Sequence, residues 1–334
     1  MQNKLTFWIA TSVPVALLLV ILATISWPEW LEAILLSRKA FFSALLNGLS
    51  VAGLYFIVAA GFSLIFGLMR NVNLAHGAMY LFGAYVGYEI VGVTGSWVLA
   101  AIGATLCVGA LGIILQLFVF RHIEKDEIRQ TLVSIGLAIL LGDLMMGIWG
   151  GQTYQIPVPE LFKGAVKLPI VTAVRSSGDI VQLSYPIYRL AIIGMAIVIG
   201  FGLYGLLNRT RIGVMVRAGV DDRMMLMACG VNVEIVFVAI FALGAGLAGL
   251  AGLIGGAALS VSPGEDLRYL LASLVVVIVG GMGSIGGAAI GAVLVGLTEQ
   301  LGLVYFPAYS AVITFLIMVV TLMVRPQGLM GGRQ

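Results

Sequence analysis

The chain consists almost entirely of long apolar runs joined by short polar segments. Hydrophobic residues make up 61% of its 334 residues and charged residues only 10%, far less charge than a water-soluble domain carries. This length and composition predict an all-α, polytopic membrane helical bundle with about 8–10 transmembrane or re-entrant helices. The bundle is expected to form a single transmembrane domain over residues 1–334. The apolar runs cover residues 7–27, 41–69, 74–93, 96–120, 130–149, 187–207, 233–261, 269–301 and 304–324.

The first run has the outline of a signal peptide. Its apolar stretch continues to Trp27 without a clear small-residue cleavage site, which favours a retained membrane span. The composition gives no sign of nucleic-acid binding. Two histidines and two cysteines, far apart in the sequence, are too few to compose a metal site. We therefore expect no metal site in this chain.

The distribution of arginine and lysine orients the bundle, because cytoplasmic loops carry an excess of these residues. Most of the basic loop residues fall in two segments, 121–129 and 208–223, and we place both segments in the cytoplasm. The span count then places residues 150–186 on the opposite face. Several prolines in that stretch predict an extracytoplasmic loop of turns or short strands.

The last third of the chain contains an interrupted apolar run. If the basic tail 325–333 is also cytoplasmic, the stretch 267–302 must begin and end outside, so it is not a single crossing. The sequence Gly280-Gly-Met-Gly-Ser-Ile-Gly-Gly287 divides the run 269–301 into two pieces, each expected to be too short to span comfortably. We predict a broken or re-entrant helix over 269–301, with its break buried in protein. One straight helix with an outside C-terminus is the alternative.

Two polar or glycine-rich breaks are candidates for a solute site inside the bundle. Free amide groups at the start of a half-helix can face a carboxylate, and free carbonyl groups can face a cation. A purely structural kink explains either break equally well. The candidates for lining a solute path are Asn73, His76 and Gly77 in the first break and Gly281, Gly283 and Ser284 in the second.

Charged residues inside apolar runs are further candidates, because lipid penalises them. Asp143 lies deepest, inside the run 130–149, and is our remaining candidate for the path. A buried structural pair with a serine or a backbone N–H is the alternative for this residue. Glu89, Arg189 and Glu299 lie closer to the ends of their runs, where they can reach headgroups or water.

The run 233–261 is interrupted by glycine instead of by charge. Small residues at short intervals let helix backbones approach closely, which is how helices associate in lipid. We therefore predict that this run packs against several other helices. Its glycines are Gly244, Gly246, Gly249, Gly252, Gly255 and Gly256.

The basic loop 209–232 has a pattern of its own, which predicts a turn, a short helix and a glycine stop. Asp221 and Asp222 suit a helix start, and Gly230 suits a helix end. The helix between them, 223–229, carries several methionines in water-facing territory, where an apolar surface favours a protein partner. An interfacial helix lying on lipid headgroups is the alternative.

These motifs, in this order, resemble the inner-membrane permeases of branched-chain amino-acid ABC importers of the LivH type. The resemblance extends from about residue 46 to the C-terminus, and several separated motifs make it specific. The matching segments are Asn73-Leu-Ala-His-Gly77, Tyr80, Gly83-Ala-Tyr85, Arg209-Thr-Arg-Ile-Gly213, Gly230-Val-Asn232, Gly280-Gly-Met-Gly-Ser-Ile-Gly-Gly-Ala288 and Arg325-Pro-Gln-Gly328.

The resemblance implies a multi-pass permease of the bacterial inner membrane that works by ATP-driven alternating access. It implies four partners: a related second permease, two cytoplasmic ATPase subunits and a periplasmic binding protein. The chain lacks a Gly-x-x-x-x-Gly-Lys-Ser/Thr phosphate loop, so ATP and Mg²⁺ are expected in the ATPase subunits. The loop 209–232 is implied to couple to the ATPases. The coupling residues carried over are Arg217, Asp221, Asp222, Arg223 and Gly230.

The sequence departs from the family pattern at two places. Met224, Met225 and Leu226 stand where the coupling segment usually has an acidic residue and alanines, which makes the expected docking contacts more apolar. In the segment 73–78, Leu74 stands in place of the usual phenylalanine, and Ala78 stands where many relatives carry an acidic residue.

Branched-chain amino acids are the first choice of solute. Urea, amides and small carboxylates are alternatives within the class. An ion-coupled secondary transporter that titrates Asp143 or His76, and a passive channel, are the alternatives outside it.

Overall fold

The computed structural model describes residues 38–69, 72–123, 126–174, 180–221 and 223–331, and the predicted first span lies outside them. Within this part the chain forms eleven α-helices and one two-stranded hairpin. Among the described residues, seven helical segments are long and apolar enough to cross a membrane, which agrees with the predicted all-α membrane bundle. The helices are α1 (Arg38–Met69), α2 (His76–Thr94), α3 (Trp97–Phe118), α4 (Glu127–Trp149), α5 (Ile187–Arg209), α6 (Arg211–Asp221), α7 (Arg223–Ala228), α8 (Val233–Leu259), α9 (Glu265–Gly280), α10 (Ile285–Tyr305) and α11 (Ser310–Val324).

The centre of the bundle is formed by α1 and α8, which are buried along most of their lengths. Helix α8 packs against α1, α2 and α3, and α1 also packs against α10. By contrast, few residues of α4, α5 and α11 are buried inside the bundle, and many of their apolar side chains are exposed. Apolar side chains on the outside of a bundle suit hydrocarbon or another subunit, and not water.

The glycines of α8 bring it close to its neighbours, as predicted. A Cβ atom added to Gly244 would lie 2.7 Å from the carbonyl oxygen of Gly61, and one added to Gly249 would lie 2.8 Å from that of Ala104. Real Cβ atoms essentially never come this close to other atoms, so glycine is required for this packing. The remaining four glycines, Gly246, Gly252, Gly255 and Gly256, contact Thr105, Tyr80, Tyr80 and Ile156 respectively.

In the connection between α4 and α5, the described residues 150–174 and 180–186 form a structured loop. Strands β1 (Ala165–Val174) and β2 (Ile180–Pro186) pair antiparallel with irregular register. Ahead of them, Tyr154 forms a β-bridge with Val261, and the Gln155 side-chain amide donates to the Ala257 carbonyl oxygen at 3.2 Å. The loop therefore covers the end of α8.

Residues 281–284 separate α9 from α10, at the position where a break was predicted. The two helices form an antiparallel hairpin, with Gly280 against Gly287 and Gly291 against Val276. Helix α9 has 16 residues, but α10 has 21 and is long enough to cross a membrane. The expectation that both pieces are short is thus wrong for α10, because the helix continues past the predicted run to Tyr305.

The C-terminal tail packs against this break. The Leu329 and Met330 amides donate to the carbonyl oxygens of Val279 and Gly280, both at 2.9 Å. The last carbonyl groups of a helix have no partner within the helix, and here the tail supplies one. On its other side the break lies against the end of α1, where a Cβ added to Gly283 would be 3.3 Å from the Gly67 Cα atom.

Both basic segments lie at one end of the bundle, as their charge predicted. The guanidinium of Arg121, which follows α3, pairs with the Glu234 carboxylate at the start of α8 (Nε–Oε1 2.6 Å). Both side chains are about half exposed, so the pair adds little stability. The ion pair does, however, hold the α3–α4 connection next to the end of the loop 209–232.

The loop 209–232 contains two helices and not one. The predicted turn before Asp221 is wrong, since α6 occupies Arg211–Asp221. Thr210 caps it: its Oγ1 accepts a hydrogen bond from the Gly213 amide at 3.2 Å, which a serine or threonine side chain can do at a helix start. The predicted short helix is α7, followed by Gly230 with a φ of +79°, a conformation that favours glycine.

Candidate functional site

Asn73 organises the start of α2. Its Oδ1 atom accepts a hydrogen bond from the Ala75 amide at 3.1 Å, and the side chain is buried. The amide nitrogen Nδ2 has no hydrogen-bond partner among the described residues. Asn73 thus stabilises the turn that leads into α2, and it has one buried donor without a partner among the described residues.

His76 braces α2 against the middle of α1. It is fully buried, and its Nε2 atom lies 3.1 Å from the Val58 carbonyl oxygen. A carbonyl only accepts, so Nε2 carries the proton, and Nδ1 has no partner among the described residues. The ring also meets Phe62 edge-to-face. Because Val58 lies roughly 16 Å along α1 from its end at Met69, the chain turns back into the bundle before α2 begins.

Gly77, in the first break, packs closely against α9. A Cβ added at Gly77 would overlap the Asp266 carbonyl oxygen and lie 2.8 Å from Leu270 Cβ. The second break instead faces the tail and the end of α1. There Gly281 and Gly283 adopt φ values of +110° and +78°, and Ser284 caps α10 by accepting from the Gly287 amide at 3.0 Å. These close contacts of the two predicted breaks are thus made with different elements.

Asp143 lines a cavity. The cavity has a volume of about 190 Å³ and lies between α2, α4 and the start of α9, with Tyr85 and Asp266 on its other walls. Asp143 is exposed, and no serine or backbone N–H binds it within the described residues. In the described structure Asp143 is thus an exposed residue at a cavity and not a member of a buried pair.

Beside this cavity lies a polar cluster formed by three helices. Tyr55 of α1 donates a hydrogen bond to Glu299 of α10 (Oη–Oε2 2.7 Å). Arg268 of α9 lies 3.6 Å from Glu299 and 3.6 Å from Glu265. The Glu299 side chain is only 18% exposed, so the expectation that it reaches headgroups or water is wrong. Its partners compensate the cost of burying the carboxylate.

Tyrosine rings connect the cluster to α2. Tyr80 stacks on Tyr269 with ring centroids 4.0 Å apart, and Tyr55 meets Tyr269 edge-to-face at 6.1 Å. Sequence reasoning missed this cluster, although one local signal was present. Glu265 and Arg268 are three residues apart, a spacing that places them on one helix face.

The predicted coupling residues lie at the end of the bundle that carries the basic segments. Arg217 is exposed and donates to the Leu207 carbonyl oxygen at the end of α5. Asp221 ends α6, Arg223 begins α7, and Asp222 falls outside the described residues. Helix α7 exposes three apolar side chains, Met224 (73%), Met225 (65%) and Met227 (44%). Leu226 is buried and holds the helix on the bundle.

An apolar helical bundle with seven helices long enough to cross a membrane among its described residues defines a multi-pass membrane protein. The chain belongs to the family described as branched-chain amino acid transport system, permease component, whose model matches residues 44–322. This membership confirms the family that the sequence motifs predicted.

Individual relatives agree with the family match. The chain is 27% identical to the high-affinity branched-chain amino acid transport permease LivH of Salmonella typhimurium, over 87% of this chain and 96% of the relative. It is 27% identical, over the same shares, to BraD of Pseudomonas aeruginosa. A probable LivH of Methanocaldococcus jannaschii is 25% identical over 84% of this chain and 89% of the relative. No solved structure matches the chain.

Proposed function

We propose that this chain is one of two permease subunits in an ABC importer of the bacterial inner membrane. The importer moves branched-chain or similar small amino acids inward. Two ATPase subunits bind ATP and Mg²⁺ in the cytoplasm, and a periplasmic binding protein delivers the solute. The chain itself catalyses no bond change.

The observation that carries this proposal, beyond family membership, is helix α7. Three methionines are exposed on a six-residue helix, at the end of the bundle that carries the basic segments. An exposed apolar surface among basic residues favours a protein partner over water. Methionine side chains are flexible and adapt to an irregular partner surface. A cytoplasmic ATPase subunit is the partner that the family supplies.

The packing of α6 gives the coupling a route into the bundle. Helix α6 contacts α7, α5, α1 and α8, so it lies between the exposed helix and the two central helices. Displacement of α7 by an ATPase would move α6 against α1 and α8. Packed helices shift between discrete arrangements instead of deforming smoothly, which provides the two access states.

Of the predicted path residues, we propose that Asp143 lines the solute path, because it lies at a cavity. Asn73, His76, Gly77, Gly281, Gly283 and Ser284 hold the helices that form the walls. Their contacts are caps, braces and close approaches, and these fix helix positions to within the short distances that a path needs.

Reconstitution tests the proposal. The chain is placed in liposomes with its second permease and both ATPases, with ATP inside, and the binding protein and labelled leucine outside. Leucine uptake should need every component and should stop with a non-hydrolysable ATP analogue. Uptake by the lone chain, driven by a proton or sodium gradient, would refute the proposal.

The docking role of α7 has a matched control. Met224→Glu should reduce co-purification of the ATPase subunits, because it places a charge in an apolar contact. Met323→Glu changes a methionine of similar exposure, near the end of α11, and should leave co-purification unchanged. Equal co-purification of the ATPase subunits with both variants would show that α7 is not part of the interface.

A further inference from the structure

The cavity beside Asp143 has the chemistry of a cation site. The polar residues that line it are Asp143 on α4, Asp266 on α9 and Tyr85 on α2. Its other described walls are apolar or glycine, including Leu81, Met145 and Pro263. None of the described lining residues carries a positive charge.

The nearest basic side chain on α9 already has two acidic partners. Arg268 lies 3.6 Å from both Glu265 and Glu299, so these two carboxylates hold it in the neighbouring cluster. Asp143 and Asp266 therefore face the cavity without a cation of their own within the described residues. Two carboxylates at a partly desolvated site favour a positively charged occupant.

Tyr85 is an independent sign of a missing partner. The residue is fully buried, and its hydroxyl has no hydrogen-bond partner among the described residues. Buried hydroxyls of this kind are normally paired. Because Tyr85 lines the cavity, an occupant of the cavity can supply the partner. A donor such as an ammonium group suits the hydroxyl oxygen, as it suits the two carboxylates.

The ring of Tyr85 is held in place. Trp149 stacks on it with centroids 4.8 Å apart and planes 12° apart. Trp149 in turn donates from Nε1 to Glu89 at 2.9 Å. A phenol fixed in this way presents its oxygen in a defined position, as recognition requires.

The volume of the cavity limits what enters it. About 190 Å³ is smaller than the ~300–1,000 Å³ of sites for drug-sized ligands. A small solute fits, and the apolar walls suit a short aliphatic side chain.

We infer that this cavity binds the protonated amino group of the transported solute, with Asp143, Asp266 and Tyr85 as its recognition groups. The inference rests on the proposed function and assigns the group of the amino-acid solute that this cavity recognises. It selects amino acids, which carry an ammonium group, over urea, simple amides and carboxylates, which do not.

Two fragments of leucine separate the groups that the cavity recognises. 3-Methylbutylamine keeps the ammonium group and the side chain but lacks the carboxylate, and 4-methylpentanoate keeps the carboxylate but lacks the ammonium group. Each is titrated into the full chain in lipid nanodiscs, and the Kd is read from tryptophan fluorescence, since Trp149 lies against Tyr85. The amine should bind and the acid should not.

Amide variants assign the binding to the cavity. Asp143→Asn and Asp266→Asn should each weaken amine binding about tenfold or more, because each removes a charge-assisted hydrogen bond. Tyr85→Phe should weaken it less. Asp126→Asn is the matched control: this residue caps the opposite end of α4, and asparagine also caps helices, so the Kd should not change. Size-exclusion profiles establish that each variant is folded.

The result that overturns the inference is an amine Kd that is equal in wild type, Asp143→Asn and Asp266→Asn. Binding of 4-methylpentanoate as tight as that of the amine also overturns it. Either failure is separable from failure of the proposed function. If ATP-dependent leucine uptake persists in Asp143→Asn, the proposed importer function stands and only the role of the cavity in binding the solute is refuted. Gradient-driven uptake by the lone chain would refute the importer without changing the Kd of the amine.

Discussion

Close packing of α8 against α2 makes a sharp prediction about Gly255 and Gly252. A Cβ added to Gly255 would overlap the hydroxyl of Tyr80 and lie 3.1 Å from its Cζ atom. A Cβ added to Gly252 would also meet Tyr80, but there it would overlap the carbonyl oxygen and lie 2.8 Å from the Ala84 amide nitrogen. The first obstacle is the end of a side chain, and the second is backbone.

The two alanine variants should therefore respond differently to Tyr80→Phe. Each alanine should lower the free energy of unfolding by about 1–3 kcal/mol, the usual cost of overpacking. Removing the Tyr80 hydroxyl leaves the Gly255→Ala Cβ 3.1 Å from Cζ, a gap that neighbours can widen by a few tenths of an ångström. The double-mutant cycle should give a coupling energy of about 1–2 kcal/mol between Gly255→Ala and Tyr80→Phe. The coupling energy between Gly252→Ala and Tyr80→Phe should be near zero, because the Tyr80 carbonyl oxygen remains in the phenylalanine variant.

The measurement is unfolding of purified variants by SDS titration, followed by circular dichroism. Gly202→Ala on α5 is the control, because an added Cβ there has no atom within 4 Å. That variant should be unchanged or up to ~1 kcal/mol more stable, since alanine loses less backbone entropy than glycine. Equal stability of the Gly255→Ala and Gly202→Ala variants would refute the packing, and so would equal rescue of both α8 variants by Tyr80→Phe.

Three further predictions concern single elements. Asn232 accepts from the Glu234 amide at 3.1 Å and caps α8, so Asn232→Ala should cost about 1 kcal/mol in SDS unfolding; a similar loss for Asn232→Asp, which keeps the cap, would contradict this. The double variant Arg121→Glu/Glu234→Arg, which exchanges the two charges, should change the free energy of unfolding by less than ~1 kcal/mol in the same assay. A larger loss would show that the pair contributes more to stability than an exposed ion pair does. Gly281→Leu should abolish reconstituted uptake, because φ is +110° and the tail lies against the residue; normal uptake would mean that the break tolerates a side chain.

Local features of this protein were accessible from its sequence. The apolar runs predicted the membrane helices, and the pattern of Asp, Met and Gly predicted α7 and its glycine stop at Gly230 to within a residue. The glycine cluster at 280–287 predicted the position of the break between α9 and α10. Each of these depends on interactions between residues close in the chain, such as helix caps, positive φ angles and the length needed to span lipid.

The sequence was misleading where local signals conflicted. Glycine and basic residues between 209 and 221 indicated a turn, but contacts with α1, α5 and α8 stabilise α6 there. Glu299 looked like a residue at the end of a run, yet Tyr55 and Arg268 reach it inside the bundle. Tertiary packing overrides local preference in such cases, because the buried partners outweigh the small intrinsic differences between residues.

Residues close together in the chain already identify a membrane helical bundle, the positions of its breaks and its family. The folded bundle alone establishes which breaks meet which helices and which polar groups share a cavity. Tyr55 and Glu299 are 244 residues apart in the chain, and Asp143 and Asp266 come from helices that no local motif relates. Such groups converge only because close glycine contacts fix the helices against one another. Those positions follow from side-chain packing across the whole bundle, and not from any short segment.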